Sequence, residues 1–372
     1  MRAILSRSFA SSTQQNEIIG IQCMRYFAAL AVLVDHLVVS MCANGKLPPT
    51  LLPFAYKLGD AGVFLFFAIS GFVMVLTNRD RFHSPRASLD FFLRRLIRIW
   101  PMYFIATLIV FVLKYGSDPS NNFENLFKSL AFIPYSANAE LYRPILGKGW
   151  TLNYEIFFYA IFAFCLALPK RKGLILAGAI LLALGLSDGL FSHHLVRFYA
   201  DDIVLYFLVG LLVGALTSGT KVDWFRFKSA GAAVSIAMTI FILLFTLNTI
   251  LRDGWIKNLL LLVGTFLCLF TVCFKETKFR SKKFAKIMAI SGDASYCLYL
   301  FHGFFFFGLQ AVFVRVPSGG IFIIMAITVA VVSIGCTLIH LLCEKPINSR
   351  LITFYKAKVT AEEIPVSSAA QR

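Results

Sequence analysis

The stretch IIGIQCMRYFAALAVLVDHLVVSM, residues 18–41, determines the class of this protein. It exceeds the roughly 20 apolar residues that a helix needs to cross a bilayer. Three ionisable side chains interrupt it, namely Arg25, Asp35 and His36. Burying an ionisable group in the hydrocarbon core costs free energy, and such groups are usually retained for function. These three residues are therefore candidate site residues.

Similar apolar stretches continue along the whole chain. Of the 372 residues, 58% are hydrophobic and 15% are charged, whereas a soluble domain carries roughly 25% charged residues. We therefore predict an all-α, polytopic integral membrane protein with about ten transmembrane helices. The stretches lie near residues 18–41, 61–78, 97–115, 149–169, 173–188, 203–219, 230–251, 257–274, 291–314 and 320–343.

The Lys and Arg residues orient these helices. If the N-terminus is cytoplasmic, 26 of the 36 basic residues fall on inner segments, as the positive-inside rule requires. Both termini are then cytoplasmic, with an N-terminal tail at 1–17, a transmembrane domain at 18–350 and a C-terminal tail at 351–372. The formal charge of +17, spread over the inner segments, favours anionic membrane lipids and is no sign of a nucleic-acid partner, so we expect membrane lipids and no nucleic acid among the partners.

The eight cysteines contain no CxxC pair, and nearly all lie inside apolar stretches. They are typical of small buried side chains, so the sequence predicts neither a metal site nor a disulfide framework.

Two polar residues of the first span share a helix face. Arg25 and His36 are eleven residues apart, which separates them by roughly 16 Å along the axis, whereas Asp35 is rotated about 100° from His36. Glu155, in the fourth span, is expected at the depth of His36, where a carboxylate would orient the imidazole. Alternatively, Arg25 is an interfacial anchor, His36 an interfacial histidine, and Glu155 the partner of a structural arginine.

Further candidates lie in the third and ninth spans. Arg95 and Arg98 are spaced i, i+3 and form a suitable clamp for phosphates, although topology alone also places arginines there. Ser295, Tyr296 and His302 belong to the ninth span, and His302 is expected near the bilayer midplane as either a catalytic group or a helix–helix hydrogen-bonding group.

Taken in order, these motifs resemble the acyltransferase family 3 membrane proteins, over roughly residues 18–350. The resemblance is closest to the bacterial exopolysaccharide O-acetyltransferase branch. It implies transfer of an acyl group, usually acetyl, from cytoplasmic acyl-CoA to a carbohydrate at the outer face of the bacterial inner membrane. The motifs are Arg25…His36, Gly62–Phe72, Arg94-Arg95…Arg98-Ile99-Trp100-Pro101, Trp150-Thr151-Leu152…Glu155, Ser295-Tyr296…His302 and Glu344…Pro346.

The resemblance also implies roles for individual residues. Arg25 and His36 match the family's essential pair, Arg95 and Arg98 its arginine motif for the acyl donor, and Glu155 the acid of its Trp-containing motif. We expect acetyl-CoA as the donor substrate, and as acceptor a glycan or a lipid-linked oligosaccharide.

Some features differ from the family pattern or stay open. Phe64 and Ile156 stand where many members carry a polar or acidic residue, which leaves the substrate undefined. Glu344 is expected to form an ionic latch to the inner arginines. Direct transfer and an acyl-histidine relay are both compatible with the sequence. The alternative functions are a transporter or flippase for an acyl donor or glycolipid, and a scaffold for polysaccharide-synthesis proteins.

Overall fold

The computed structural model describes residues 12–116, 122–135, 143–187, 190–191, 193–217, 255–273, 281–315 and 317–362. All regular structure in these ranges is helical, and no β-strand occurs among them. The predicted all-α class is therefore confirmed for the part of the chain that the structure describes.

Helices make up most of the described part of the fold. In chain order they are α1 (Ser12–Ala43), α2 (Leu52–Asn78), α3 (Pro85–Tyr115), α4 (Phe123–Leu130), α5 (Trp150–Leu166), α6 (Lys170–Leu186), α7 (His194–Tyr199), α8 (Leu205–Thr217), α9 (Trp255–Cys273), α10 (Lys282–Asp293), α11 (Ser295–Arg315), α12 (Ile321–Ile339) and α13 (Lys345–Glu362).

Seven of the described helical segments are long and apolar enough to cross a membrane. The chain is thus a multi-pass membrane protein, whereas the count of ten spans stays a prediction. The expected span at 173–188 corresponds to α6, which has only 17 residues, and that at 257–274 to α9. The expected span at 230–251 lies outside the described residues. The seven segments are Ile19–Ala43, Pro49–Asn78, Pro85–Tyr115, Gly147–Leu166, Leu195–Thr217, Ser295–Arg315 and Ile321–Val359.

Two segments predicted to lie outside the membrane spans contain helix. The connection between the third and fourth predicted spans, residues 116–148, contains α4. The predicted tail after residue 350 continues as α13, which follows α12 through a single π-helical turn, His340–Glu344, and packs against α3.

Helix α1 packs against α2, α10 and α11, and α2 packs in turn against α8. The α2–α8 contact depends on two glycines, because a Cβ on Gly71 would meet the carbonyl oxygen of Phe207, and one on Gly210 that of Ala68. Small residues allow such backbone-to-backbone contact between membrane helices. This close packing fixes α2, and with it one wall of the site described below.

Pro101 lies inside α3 and removes one backbone donor from the helix. Side chains from other helices bond to the carbonyl groups just before it. The Tyr296 hydroxyl donates to the Ile99 oxygen at 2.8 Å, and the Asn348 amide donates to the Arg98 oxygen at 3.4 Å. These bonds connect the arginine-bearing turn of α3 to α11 and α13.

Candidate active site

Two cavities meet inside the helix bundle. The larger, with a volume of about 460 Å³, is polar, and we call it the vestibule; its lining includes Gln22, Asn78, Arg94, Asp293 and Asn348. The smaller, of about 80 Å³, is mostly apolar and aromatic, and we call it the chamber; its lining includes Phe66, Phe67, Leu152, Tyr296 and Tyr299. Arg25, Arg95 and Arg98 line both cavities, so the two spaces meet at three guanidinium groups.

Aromatic and polar neighbours hold the arginines in place. The Arg95 guanidinium carbon lies 5.7 Å from the centroid of the Phe91 ring and 5.8 Å from that of Tyr159, which is cation–π geometry. Arg25 interacts electrostatically with Glu155 and with Asp293. Positive charge nevertheless outweighs negative charge at the junction, which makes it suited to binding an anion.

Glu155 is the acidic group of the chamber. Its Oε1 atom accepts a hydrogen bond from the Ser70 hydroxyl at 3.1 Å and another, short one from the Tyr159 hydroxyl. Tyr159 lies one helical turn further along α5 and also contacts Arg95. The carboxylate therefore joins α2, α5 and the arginine-bearing turn of α3 in one network.

A second polar group lies beyond the chamber, around two histidines. The His36 and His302 rings are 5.0 Å apart, edge to face. His36 Nδ1 lies 2.8 Å from the Val32 carbonyl oxygen, and His302 Nδ1 lies 2.9 Å from that of Leu298. A carbonyl oxygen only accepts, so Nδ1 carries the hydrogen in both rings and Nε2 carries the lone pair.

Lys148 distinguishes the two histidines. Its Nζ lies 2.5 Å from His302 Nε2, so the lysine donates to the lone pair of that ring. His302 is fully buried, whereas the His36 side chain is 39% exposed. Of the two rings, His36 is thus the more exposed, and its Nε2 has the tautomer of a base.

A hydroxyl pair connects the lining of the chamber to the lysine beside the histidines. Thr151 Oγ1 and the Tyr299 hydroxyl oxygen are 2.8 Å apart, both residues line the chamber, and the Tyr299 hydroxyl also donates to the Lys148 carbonyl oxygen at 3.1 Å. The next turn of α11 carries His302. The chamber lining is therefore connected to His36 through a chain of contacts, from Tyr299 to Lys148, from Lys148 to His302 and from His302 to His36.

The sequence profile of the acyltransferase family 3, described as an acyltransferase domain, matches residues 18–340. The chain belongs to this family. It is 29% identical over 256 residues to the exopolysaccharide production protein ExoZ of Rhizobium meliloti (strain 1021), covering 67% of this chain and 77% of ExoZ. It is 27% identical over 154 residues to the acyltransferase MdmB of Streptomyces mycarofaciens, covering 40% of this chain and 39% of MdmB. No solved structure matches it significantly.

Three of the site residues predicted from the sequence of this acyltransferase come together at the junction, namely Arg25, Arg95 and Arg98. Glu155, however, is not level with His36. Glu155 lies close to the three arginines. His36 Nδ1 bonds to the Val32 carbonyl oxygen and not to the Glu155 carboxylate. The short helical turn Gly147–Gly149 before α5 places Lys148, and not Glu155, beside the histidines; Glu155 follows roughly 10 Å further along the axis.

The remaining candidates occupy different places. His302 is in contact with His36, and its position near the bilayer midplane stays a prediction. Asp35 is buried, 3.4 Å from His36 Nδ1 and packed against Gly59 of α2. Tyr296 lines the chamber, whereas the Ser295 hydroxyl is buried without a hydrogen-bond partner among the described residues.

Glu344 lines the vestibule but bonds to His340 and Cys297, so the expected ionic latch to the inner arginines is not what the structure forms. Sequence reasoning missed Lys148. The available signal was a lysine flanked by two glycines, Gly147 and Gly149, on the side predicted to be poor in basic residues.

Proposed function

We propose that the protein is an O-acyltransferase of the bacterial inner membrane. It moves an acetyl or similar short acyl group from cytoplasmic acyl-CoA to a hydroxyl of an exopolysaccharide, another cell-surface glycan or a lipid-linked precursor. The observation that carries the proposal is the meeting of three arginines where the vestibule joins the chamber. The chamber residue Tyr299 is connected in turn to the two histidines through Lys148.

The vestibule suits the nucleotide end of acyl-CoA. This molecule carries several phosphate charges, and guanidinium groups bind phosphate through paired, charge-assisted hydrogen bonds. In the orientation set by the basic residues, Arg25, Arg95 and Arg98 face the cytoplasm, where acyl-CoA is available. In this arrangement they act as binding groups for the donor.

The chamber suits the thin arm that carries the thioester. Its apolar and aromatic walls match an extended chain. Glu155 and Tyr159 keep the Arg95 guanidinium at the cavity junction, so we assign Glu155 to positioning the donor site and not to orienting His36.

Transfer takes place at His36. Nε2 removes the proton from the acceptor hydroxyl, and the oxygen attacks the thioester carbonyl carbon. The carbon–sulfur bond breaks, and the departing thiolate takes the proton from the imidazolium to give free CoA and the ester. Such general-base assistance typically contributes about 10²–10⁴-fold. The relation to ExoZ, a protein named for exopolysaccharide production, supports a polysaccharide acceptor.

The test uses purified full-length protein, acetyl-CoA labelled in the acetyl group, and polysaccharide from cells that lack the protein. We expect label in the glycan with the unaltered protein and with His193→Ala, a control outside both cavities. With His36→Ala, transfer should fall by at least about 100-fold while the protein still purifies from membranes as a monodisperse species.

Two results contradict the proposal. Undiminished transfer by His36→Ala removes the base assignment. Labelled donor that crosses a proteoliposome membrane without any labelled glycan indicates the transporter alternative, because a transporter leaves the thioester intact.

A further inference from the structure

A buried cluster of Cys297, His340 and Glu344 lies beside the vestibule and takes no part in the proposed transfer. One ligand atom from each residue lies within 4.8 Å of the other two. All three side chains are buried, with residue exposures of 0%, 8% and 4%. They come from two elements, since Cys297 is on α11 and the other two are on the turn between α12 and α13.

The π-helical turn brings two of the ligands together. His340 and Glu344 are its first and last residues, and their side chains meet, with His340 Nδ1 2.8 Å from Glu344 Oε2. The Cys297 thiol donates to the same oxygen at 3.0 Å. Single π-helical turns within α-helices occur frequently at functional sites.

The chemistry of the set matches a borderline transition metal. Thiolate, imidazole and carboxylate are the three ligand types that proteins use for Zn²⁺, and sites with three protein ligands leave a fourth position open. His340 and Glu344 also line the vestibule, which gives an ion a polar route to the cluster and space for the fourth ligand. A thiol is a weak hydrogen-bond donor, so a metal ion would satisfy the buried carboxylate better than the thiol does.

We propose that Cys297, His340 and Glu344 bind one Zn²⁺ ion whose fourth position faces the vestibule. Binding replaces the two hydrogen bonds on Glu344 Oε2. The thiol proton leaves to water in the vestibule, and the imidazole coordinates through a nitrogen freed of its hydrogen by a shift to the other tautomer. The ion connects α11 to the π-helical turn, and its binding does not depend on the transferase chemistry.

Metal content is measured on the full-length protein in detergent, purified without a histidine tag from zinc-supplemented cells. We expect about one zinc per chain in the unaltered protein and in Cys343→Ser, a matched control on the same π-helical turn whose side chain is exposed. Cys297→Ser and Glu344→Gln should each lose most of the metal. Zinc far below one per chain in the unaltered protein, or unchanged in Cys297→Ser, overturns the proposal.

A second measurement does not depend on whether the variants fold. The unaltered protein is stripped with a chelator and loaded with Co²⁺, which gives a near-ultraviolet thiolate-to-cobalt absorption band if Cys297 is a ligand. Added Zn²⁺ should also raise the melting temperature of the unaltered protein and not that of Cys297→Ser. Absence of the cobalt band in the unaltered protein contradicts the site without reference to any variant.

Discussion

At the scale of single residues, the junction of the two cavities concentrates charge in an apolar bundle. Arg25, Arg95 and Arg98 share the space with one carboxylate of the chamber, Glu155. An incoming anion would relieve the mutual repulsion of the three guanidinium groups, so binding energy is available for a phosphate-bearing ligand.

Arg98→Ala should therefore weaken acyl-CoA binding. A charged hydrogen bond contributes about 1.5–3 kcal/mol, so we expect a KM for acetyl-CoA roughly 10- to 100-fold higher, with a smaller change in the KM for the glycan. Steady-state transfer rates at varied donor concentration measure this. The control is Arg86→Ala on the same helix, outside both cavities, which should leave the donor KM unchanged; an equal effect of both substitutions would contradict the donor role.

Helical spacing alone predicted part of the site. The shared face of Arg25 and His36, and the pairing of Arg95 with Arg98, follow from residue periodicity within one helix. The position of Glu155 along the bundle axis does not follow from periodicity. It depends on how the turn Gly147–Gly149 sets the start of α5 relative to α1. The contact of Lys148 with His302 joins residues 154 positions apart, and no local pattern contains it.

At the scale of elements, the glycine-mediated contact between α2 and α8 offers a direct test of the helix packing. The position that a Cβ on Gly210 would take is occupied by the Ala68 oxygen and the Phe72 nitrogen, and backbone atoms cannot rotate away as a side chain can. Displacing α2 would move the chamber wall that carries Phe66, Phe67 and Ser70.

Gly210→Ala should accordingly destabilise the protein. Overpacking typically costs about 1–3 kcal/mol, which should appear as a lower melting temperature in detergent, followed by intrinsic fluorescence. Gly308→Ala on α11 is the matched control, because a Cβ there meets nothing within 4 Å, and alanine favours helix over glycine. A Gly210→Ala protein as stable as the Gly308→Ala protein would show that α2 and α8 are not in this contact.

Hydropathy predicted the existence and helical type of most elements, because long apolar segments in a bilayer have to satisfy their backbone groups internally. It did not predict α4 or the continuation of α12 into α13, since both are rich in polar residues and are stabilised by packing on other helices. The hydrogen bond from the Cys297 thiol to Glu344 likewise joins two helices that are far apart in the sequence, so no local pattern contains it.

At the scale of the whole molecule, the distribution of basic residues predicts which end of the pathway faces the cytoplasm. A full-length protein with a fluorescent protein fused after Arg372 should fluoresce, and alkaline phosphatase at the same place should be inactive. Phosphatase inserted between residues 136 and 142 should be active, because that segment is predicted to be external. The reverse pattern would place the vestibule on the outer face, where acyl-CoA is not available.

The pair formed by Thr151 and Tyr299 has a consequence for the cell's energy supply. If the vestibule opens to the cytoplasm and His36 to the exterior, the pathway between them crosses a membrane that maintains a proton gradient. Two hydroxyl groups bonded to each other line the narrow chamber, and on the proposed pathway the donor arm has to pass them to reach His36. A thioester arm that parts them would fill the opening as it enters. The same contact would thus keep the membrane insulating between turnovers, so that acylation proceeds without discharging the gradient.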